Sequence, residues 1–129
     1  MILLDLNYAL LTDKKASKTP LMKQLEQERY DLDLIQMLQS ERVILVSARP
    51  QKYRIITLAN LYNETGWQPE EAFFNESARS AHQCKKYVLQ KHILPLNERC
   101  VAIESNLTTR KMYAHYRIPS MTVDEFKHC

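Results

Sequence analysis

Polar residues that can bind or act on charged groups stand directly after three short apolar runs of this 129-residue chain. Asp5 and Asn7 follow the first run, Ser47 and Arg49 the second, and residues 104–106 the third. In parallel α/β sheets the functional site lies outside the carboxyl ends of the strands. We therefore expect these residues to meet, bringing carboxylates, a hydroxyl and a cation into one site.

The apolar runs alternate with amphipathic stretches that have helical spacing. Predicted strands cover residues 2–6, 43–46, 73–74, 100–103 and 121–123. Predicted helices cover residues 20–40 (divided near 30–31), 51–65, 79–93 and 107–116, with Gly66 as the C-cap of the second. This alternation predicts an α/β fold, a three-layer Rossmann-like parallel sheet, in a single domain spanning residues 1–129.

Composition excludes several classes of protein. Gly66 is the single glycine, so the chain has neither a glycine-rich phosphate loop nor a dinucleotide-binding turn. The proportions of hydrophobic (45%) and charged (26%) residues are typical of a folded globular domain rather than a disordered one.

The cysteines and the N-terminal residues indicate a cytoplasmic setting. The three cysteines are widely spaced without a C-x-x-C motif, which favours a reducing compartment. His82 and Cys84 have no second pair at metal-ligand spacing, so we interpret them as structural residues. Asp5 interrupts the apolar start, which we interpret as a strand rather than a signal peptide. No apolar run reaches the ~20 residues of a membrane span, so we expect a soluble protein without membrane association.

The formal net charge is +3, and the cations are scattered. Lys14, Lys15 and Lys18 form the densest cluster, with smaller pairs at residues 85–86 and 110–111. This pattern is compatible with a nucleic-acid or phosphate partner and equally with a solvated surface.

The order and spacing of three passages resemble the haloacid dehalogenase-like (HAD) superfamily, and most closely the 3′-phosphatase domain of polynucleotide kinase/phosphatases. They are YDLDLIQMLQSERVILVSARP (30–50), CKKYVLQKHILPLNERCVAIES (84–105) and TTRKMYAHYRIPSMTVDEF (108–126). The resemblance covers nearly the whole chain. It implies a HAD-like fold with a minimal cap, because residues 7–31 leave room for only a short insert.

The resemblance also implies roles for the strand-end residues. Asp5 falls at the position of the nucleophile that forms an aspartyl-phosphate. Ser47 falls at the phosphate-binding hydroxyl, and Arg49 lies just beyond it. Lys85 matches the lysine by which the family offsets phosphoryl charge, with Lys86 as the second choice.

Three positions depart from the pattern of the family. Asn7 stands where the family has its acid/base aspartate, and an amide cannot exchange protons near neutral pH. Ala9 replaces a threonine. Glu104 falls on the first metal-binding acid, but Ser105 stands where the second belongs, so a Mg²⁺ site formed by Asp5, Glu104 and Ser105 would be weak or lost.

Several of these residues also have purely structural interpretations. Ser47 can cap the following helix, and Glu104 can form a surface ion pair with Arg110 or Lys111. The two lysines at 85 and 86 can be ordinary helix-surface residues.

Three functions follow as hypotheses. The first is a HAD-fold pseudoenzyme that has weakened or lost phosphatase activity and binds a protein or a phosphate-bearing nucleic acid or nucleotide. The alternative is an active Mg²⁺-dependent phosphomonoesterase, acting on nucleotides or polynucleotide 3′-phosphates through Asp5. A third hypothesis is a regulator that binds its partner through a helix at residues 20–29.

Overall fold

The computed structural model describes residues 1–11 and 28–129. Five parallel strands form one sheet in the order β3-β2-β1-β4-β5. They are β1 (Ile2–Leu4), β2 (Val43–Pro50), β3 (Glu71–Asn75), β4 (Val101–Ile103) and β5 (Ser120–Met121). The predicted α/β fold with a parallel sheet is confirmed.

The helices lie between the strands and after the last one. They are α1 (Leu32–Leu38), α2 (Arg54–Thr65), α3 (Ala81–Val88), α4 (Leu107–His115) and α5 (Val123–Lys127). A 3-10 turn, Gln51–Tyr53, precedes α2, and a π-helical turn, Leu89–Ile93, extends α3. A further π-helical turn, Leu6–Leu10, follows β1 directly.

Alternate side chains of each central strand enter two separate cores. Leu4 and Leu45 belong to the core beneath α1, α2 and α5, whereas Leu3 and Ile44 belong to the core beneath α3 and α4. A parallel sheet covered on both faces has this property, which explains why its strands are continuous apolar runs rather than alternating ones. The three layers of helix, sheet and helix therefore follow from the sequence pattern.

The helix boundaries follow local capping signals. Asp31 caps α1 by accepting a hydrogen bond from the Leu34 N–H, so the expected start of a helix just after residues 30–31 is confirmed. Gly66 ends α2 in the left-handed region (φ 72°), and its N–H donates to the Tyr62 carbonyl. Helix α5 was not expected from the sequence, although Thr122 and Glu125 form a capping box at its start.

Several strand boundaries differ from the expectation: β3 (Glu71–Asn75) is longer than expected, and β5 ends at Met121, with Val123 in α5 instead. Strand β1 ends at Leu4 rather than at residue 6, because the chain turns into the π-helical turn there. Strand β2 continues to Pro50 and contains a register irregularity between Val46 and Pro50. The polar residues at 47 and 49 consequently lie within β2 and not after it.

Some expected features lie outside the described residues. These are the first half of the helix expected at 20–40, most of the proposed partner-binding helix at 20–29, the lysine cluster at 14, 15 and 18, and most of the segment expected to form a minimal cap. Within residues 1–11 and 28–129, no helix is long and apolar enough to span a membrane.

Candidate functional site

The register of the sheet brings Asp5 and Glu104 together. Leu4 is aligned with Ile103, so the next residue of each strand, Asp5 or Glu104, stands at the same edge of the sheet. The Asp5 N–H donates to the Ile103 carbonyl, and the Glu104 N–H donates to the Met121 carbonyl. The main chain therefore fixes both residues before their side chains interact.

Lys85 joins these two carboxylates. Its Nζ lies 2.7 Å from Asp5 Oδ1 and 2.5 Å from Glu104 Oε1. The three side chains are almost fully buried, with exposed fractions of 4%, 9% and 2% for Lys85, Asp5 and Glu104. Lys85 reaches the sheet edge because it lies, with Cys84 and Val88, on the buried face of α3.

The charges in this buried cluster shift the pKa values of its members. Burial lowers the pKa of the Lys85 ammonium, but Asp5 and Glu104 outweigh burial, and its pKa lies above the usual value. Burial raises the pKa of the Glu104 carboxyl, and the charge of Asp5 raises it further, against the opposing effect of Lys85. Two carboxylates therefore contact the same ammonium.

The second oxygen of Glu104 is also engaged. Oε2 accepts hydrogen bonds from the backbone N–H groups of Ser105 (3.1 Å) and Asn106 (3.2 Å). Asn106 caps α4 by accepting a hydrogen bond from the Thr109 N–H. The Ser105 side chain is exposed. Glu104 is therefore buried and contacts Lys85, so the alternative of a surface ion pair with Arg110 or Lys111 is wrong.

Arg49 is held by a residue that the sequence did not indicate. Its guanidinium donates to both carboxylate oxygens of Glu28, one at 3.2 Å, and to Thr57 Oγ1 at 3.0 Å. Arg49 and Glu28 are buried. The two residues are 21 positions apart in sequence, and no local sequence pattern relates them. The cation expected to bind phosphate is thus neutralised by a buried counter-ion.

Ser47 has a local role within β2. Its Oγ accepts a hydrogen bond from the Arg49 N–H at 3.0 Å, and Ser47 is 1% exposed. The alternative that Ser47 caps the following helix is wrong, because the 3-10 turn begins only at Gln51. The Cys84 thiol donates to the Ser47 carbonyl at 3.7 Å, and burial raises the pKa of that thiol.

The remaining predicted site residues lie apart from the ion cluster or at its margin. Asn7 is half-buried in the π-helical turn, two residues after Asp5. Lys86 is exposed on α3 and lines a groove shared with α4, whereas its neighbour Lys85 is buried. The structure thus brings Asp5, Lys85 and Glu104 into direct contact, and Lys86 belongs to a different surface.

The donor set does not fit a resident Mg²⁺. Lys85 stands between the two carboxylates, and both oxygens of Glu104 already accept hydrogen bonds. Mg²⁺ demands near-octahedral oxygen ligands, which a carboxylate pair bridged by an ammonium does not offer. In the part of the chain that the structure describes, no group of three or more His, Cys, Asp or Glu residues could hold a metal ion.

Comparisons with known proteins add no assignment. No family model matches the chain, and no curated protein matches it.

Proposed function

We propose that this chain is a HAD-like pseudoenzyme: a protein with weakened or lost phosphatase activity that serves as a binding module for a protein or for a phosphate-bearing nucleic acid or nucleotide. The observation that carries the proposal is the buried contact of Lys85 with both Asp5 and Glu104. This contact supports a mainly structural role for residues that would act in catalysis in the family.

Electrostatics argue against efficient phosphoryl transfer at this edge of the sheet. A phosphate monoester is an anion, and the lysine and arginine expected to offset its charge are already paired with carboxylates. Among the described residues of the two buried ion clusters, the three acids Asp5, Glu104 and Glu28 outnumber the two cations Lys85 and Arg49. Because both cations already contact carboxylates, they are poorly placed to offset the charge of an incoming phosphoryl group.

Proton transfer argues in the same direction. Attack by an Asp5 oxygen would form a bond to phosphorus and break the ester P–O bond, and the departing oxygen would need a proton. Asn7 occupies the position from which the family supplies that proton, and its amide has none to give near neutral pH. Loss of general acid–base catalysis lowers rates by roughly 10²–10⁴.

The alternative function is an active phosphomonoesterase that uses Asp5 as nucleophile and Mg²⁺ as cofactor. The contact between Lys85 Nζ and Asp5 Oδ1 at 2.7 Å favours it, because it places a cation beside the carboxylate that would attack phosphorus. This function predicts slow turnover of substrates with good leaving groups, because those need little protonation.

Phosphate release separates the two functions. The purified chain is incubated with Mg²⁺ and either p-nitrophenyl phosphate or a 3′-phosphorylated oligonucleotide, beside Asp5→Asn as the matched control. We expect the parent chain to release no more phosphate than the Asp5→Asn control. Turnover that depends on Asp5 would refute the pseudoenzyme and establish the phosphatase.

A gain-of-function variant tests the family resemblance itself. Asn7→Asp combined with Ser105→Asp returns the acid/base group and the second acid to their family positions. Mg²⁺-dependent release that appears in this variant and vanishes when Asp5→Asn is added would reveal a latent phosphatase site. Absence of release from a variant that unfolds in urea like the parent would count against a latent phosphatase site.

A further inference from the structure

The layer formed by α3 and α4 carries cations but almost no acids. Residues 77–97 and 105–123 contain no Asp or Glu. The same two ranges contain seven basic residues: Arg79, Lys85, Lys86, Lys91, Arg110, Lys111 and Arg117. Of these, Lys85 is buried in the ion cluster and Arg110 lies 3.6 Å from Glu125. The opposite layer differs, because α1, α2 and α5 all contain acids.

A groove of about 400 Å³ runs between α3 and α4. Helical spacing explains its lining, since side chains three or four positions apart share one face of a helix. On α3 that face presents His82 and Lys86, and on α4 it presents Lys111 and His115. Both lysines are exposed, and no acid is found among the described residues that line the groove.

The floor of the groove offers apolar and aromatic surface between these cations. Met112 and Tyr116 are half-buried there, and the Tyr116 hydroxyl accepts a hydrogen bond from Gln90 Nε2 at 2.7 Å. The His115 and Tyr116 rings meet edge to face at 5.2 Å. Cations beside aromatic rings are the combination by which proteins bind single-stranded nucleic acid, with phosphates near the cations and bases stacked on rings.

We infer that the groove between α3 and α4 binds single-stranded nucleic acid, with Lys86 and Lys111 contacting phosphates and the ring of Tyr116 contacting a base. A duplex fits less well, because its paired bases cannot stack on a ring at the floor of a groove. This inference rests on the proposed function, because it names single-stranded nucleic acid as the ligand of the proposed binding module. It concerns a surface separate from the buried ion cluster.

The salt dependence of binding gives the expected magnitude. Each phosphate neutralised on a single strand contributes about −0.7 to the slope of log K against log salt. Two contacts, from Lys86 and Lys111, predict a slope of about −1.4 and a loss of affinity of about sevenfold between 50 and 200 mM NaCl. Relative to 1 M salt, one contact with a slope of about −0.7 strengthens binding at 50 mM NaCl by about eightfold, so removing it should weaken binding by the same factor.

Fluorescence anisotropy with a labelled 12-nucleotide oligothymidylate tests the inference on the full chain. Lys86→Glu and Lys111→Glu are each compared with Lys52→Glu, which makes the same charge change at an exposed lysine outside the groove. We expect the first two variants to bind at least about eightfold more weakly than the parent at 50 mM NaCl. The Lys52→Glu control should bind within about twofold of it.

Three results would overturn the inference. Equal loss in all three variants would show a response to net charge alone, and no loss in the groove variants would place binding elsewhere. Tighter binding of a 12-base-pair duplex, of a glutamate peptide of equal charge or of phosphatidylserine vesicles would assign the groove to another ligand. Because this assay does not measure phosphate release, its failure is distinguishable from failure of the pseudoenzyme proposal.

Discussion

Replacing Lys85 by methionine tests whether the buried ion cluster holds the carboxyl edge of the sheet together. The substitution keeps an unbranched side chain of similar length but removes the ammonium that contacts Asp5 Oδ1 and Glu104 Oε1. Both carboxylates are more than nine-tenths buried, so neither can recover its hydration without opening the structure. Breaking a buried ion pair by removing one partner costs about 3–5 kcal/mol. We expect a loss of this size at pH 7.5.

The loss should depend on pH with a defined sign. Burial and Asp5 already raise the folded-state pKa of Glu104, and the variant also lacks the opposing effect of Lys85. The folded variant therefore binds a proton more tightly than the unfolded chain. The variant becomes more stable as pH falls toward the ordinary pKa of a carboxyl group. This added stability is lost as pH rises through the raised pKa of Glu104 in the folded state. One linked proton changes stability by at most about 1.4 kcal/mol per pH unit, so we expect Lys85→Met to recover part of its lost stability at pH 5.5.

Urea unfolding at pH 5.5 and 7.5 measures both effects, without added Mg²⁺. The fluorescence of Trp67, the single tryptophan, reports unfolding because this residue is buried. Lys86→Met is the matched control, since its side chain is exposed on the same helix. Adding Glu104→Gln to Lys85→Met removes one buried charge and should restore about 2 kcal/mol at pH 7.5. Equal stability of Lys85→Met and Lys86→Met at both pH values would refute the reasoning.

Three further predictions concern other parts of the fold. Glu28→Gln leaves the buried Arg49 without its counter-ion, and we expect a loss of about 3–5 kcal/mol in urea unfolding; a change as small as that of the exposed Glu70→Gln would contradict it. Arg117 has φ 61°, a left-handed conformation that costs a side-chain-bearing residue about 1–2 kcal/mol. Arg117→Gly should remove this strain at a smaller cost in the entropy of the unfolded chain, and so raise Tm in calorimetry. A lower Tm would be inconsistent with strain. Thr122→Ala removes the cap of α5 and should speed hydrogen exchange in that helix alone, by about 1 kcal/mol of local stability; unchanged exchange would show that packing, not the cap, holds it.

The sequence predicted the contact of Asp5 with Glu104 only indirectly. Each residue directly follows an apolar run, and the carboxyl ends of parallel strands share one edge of the sheet. That reasoning places the two residues near each other but does not give their register. The alignment of Leu4 with Ile103 decides it. Had the strands been offset by one residue, the side chains of this edge would point to different faces.

The sequence was less informative about the cations. Lys85 and Lys86 are adjacent, so helix geometry points them about 100° apart and only one can face the sheet. The packing of α3 with Cys84 and Val88 buried selects Lys85. Arg49 follows Ser47 in β2, but its pairing with Glu28 joins residues 21 apart in sequence. No periodicity encodes such a pair.

The amino-acid sequence by itself determined the alternation of strands and helices, the parallel sheet and the set of polar residues at the strand ends. Hydrophobic periodicity and glycine or capping residues act over a few positions, so they can be read along the chain. Only the tertiary structure decided which charges neutralise one another and which remain exposed. A charge is buried or solvated according to what packs around it, and that depends on residues such as Lys85 and Glu104, which are 19 positions apart. The same packing leaves Lys86 exposed in the groove between α3 and α4.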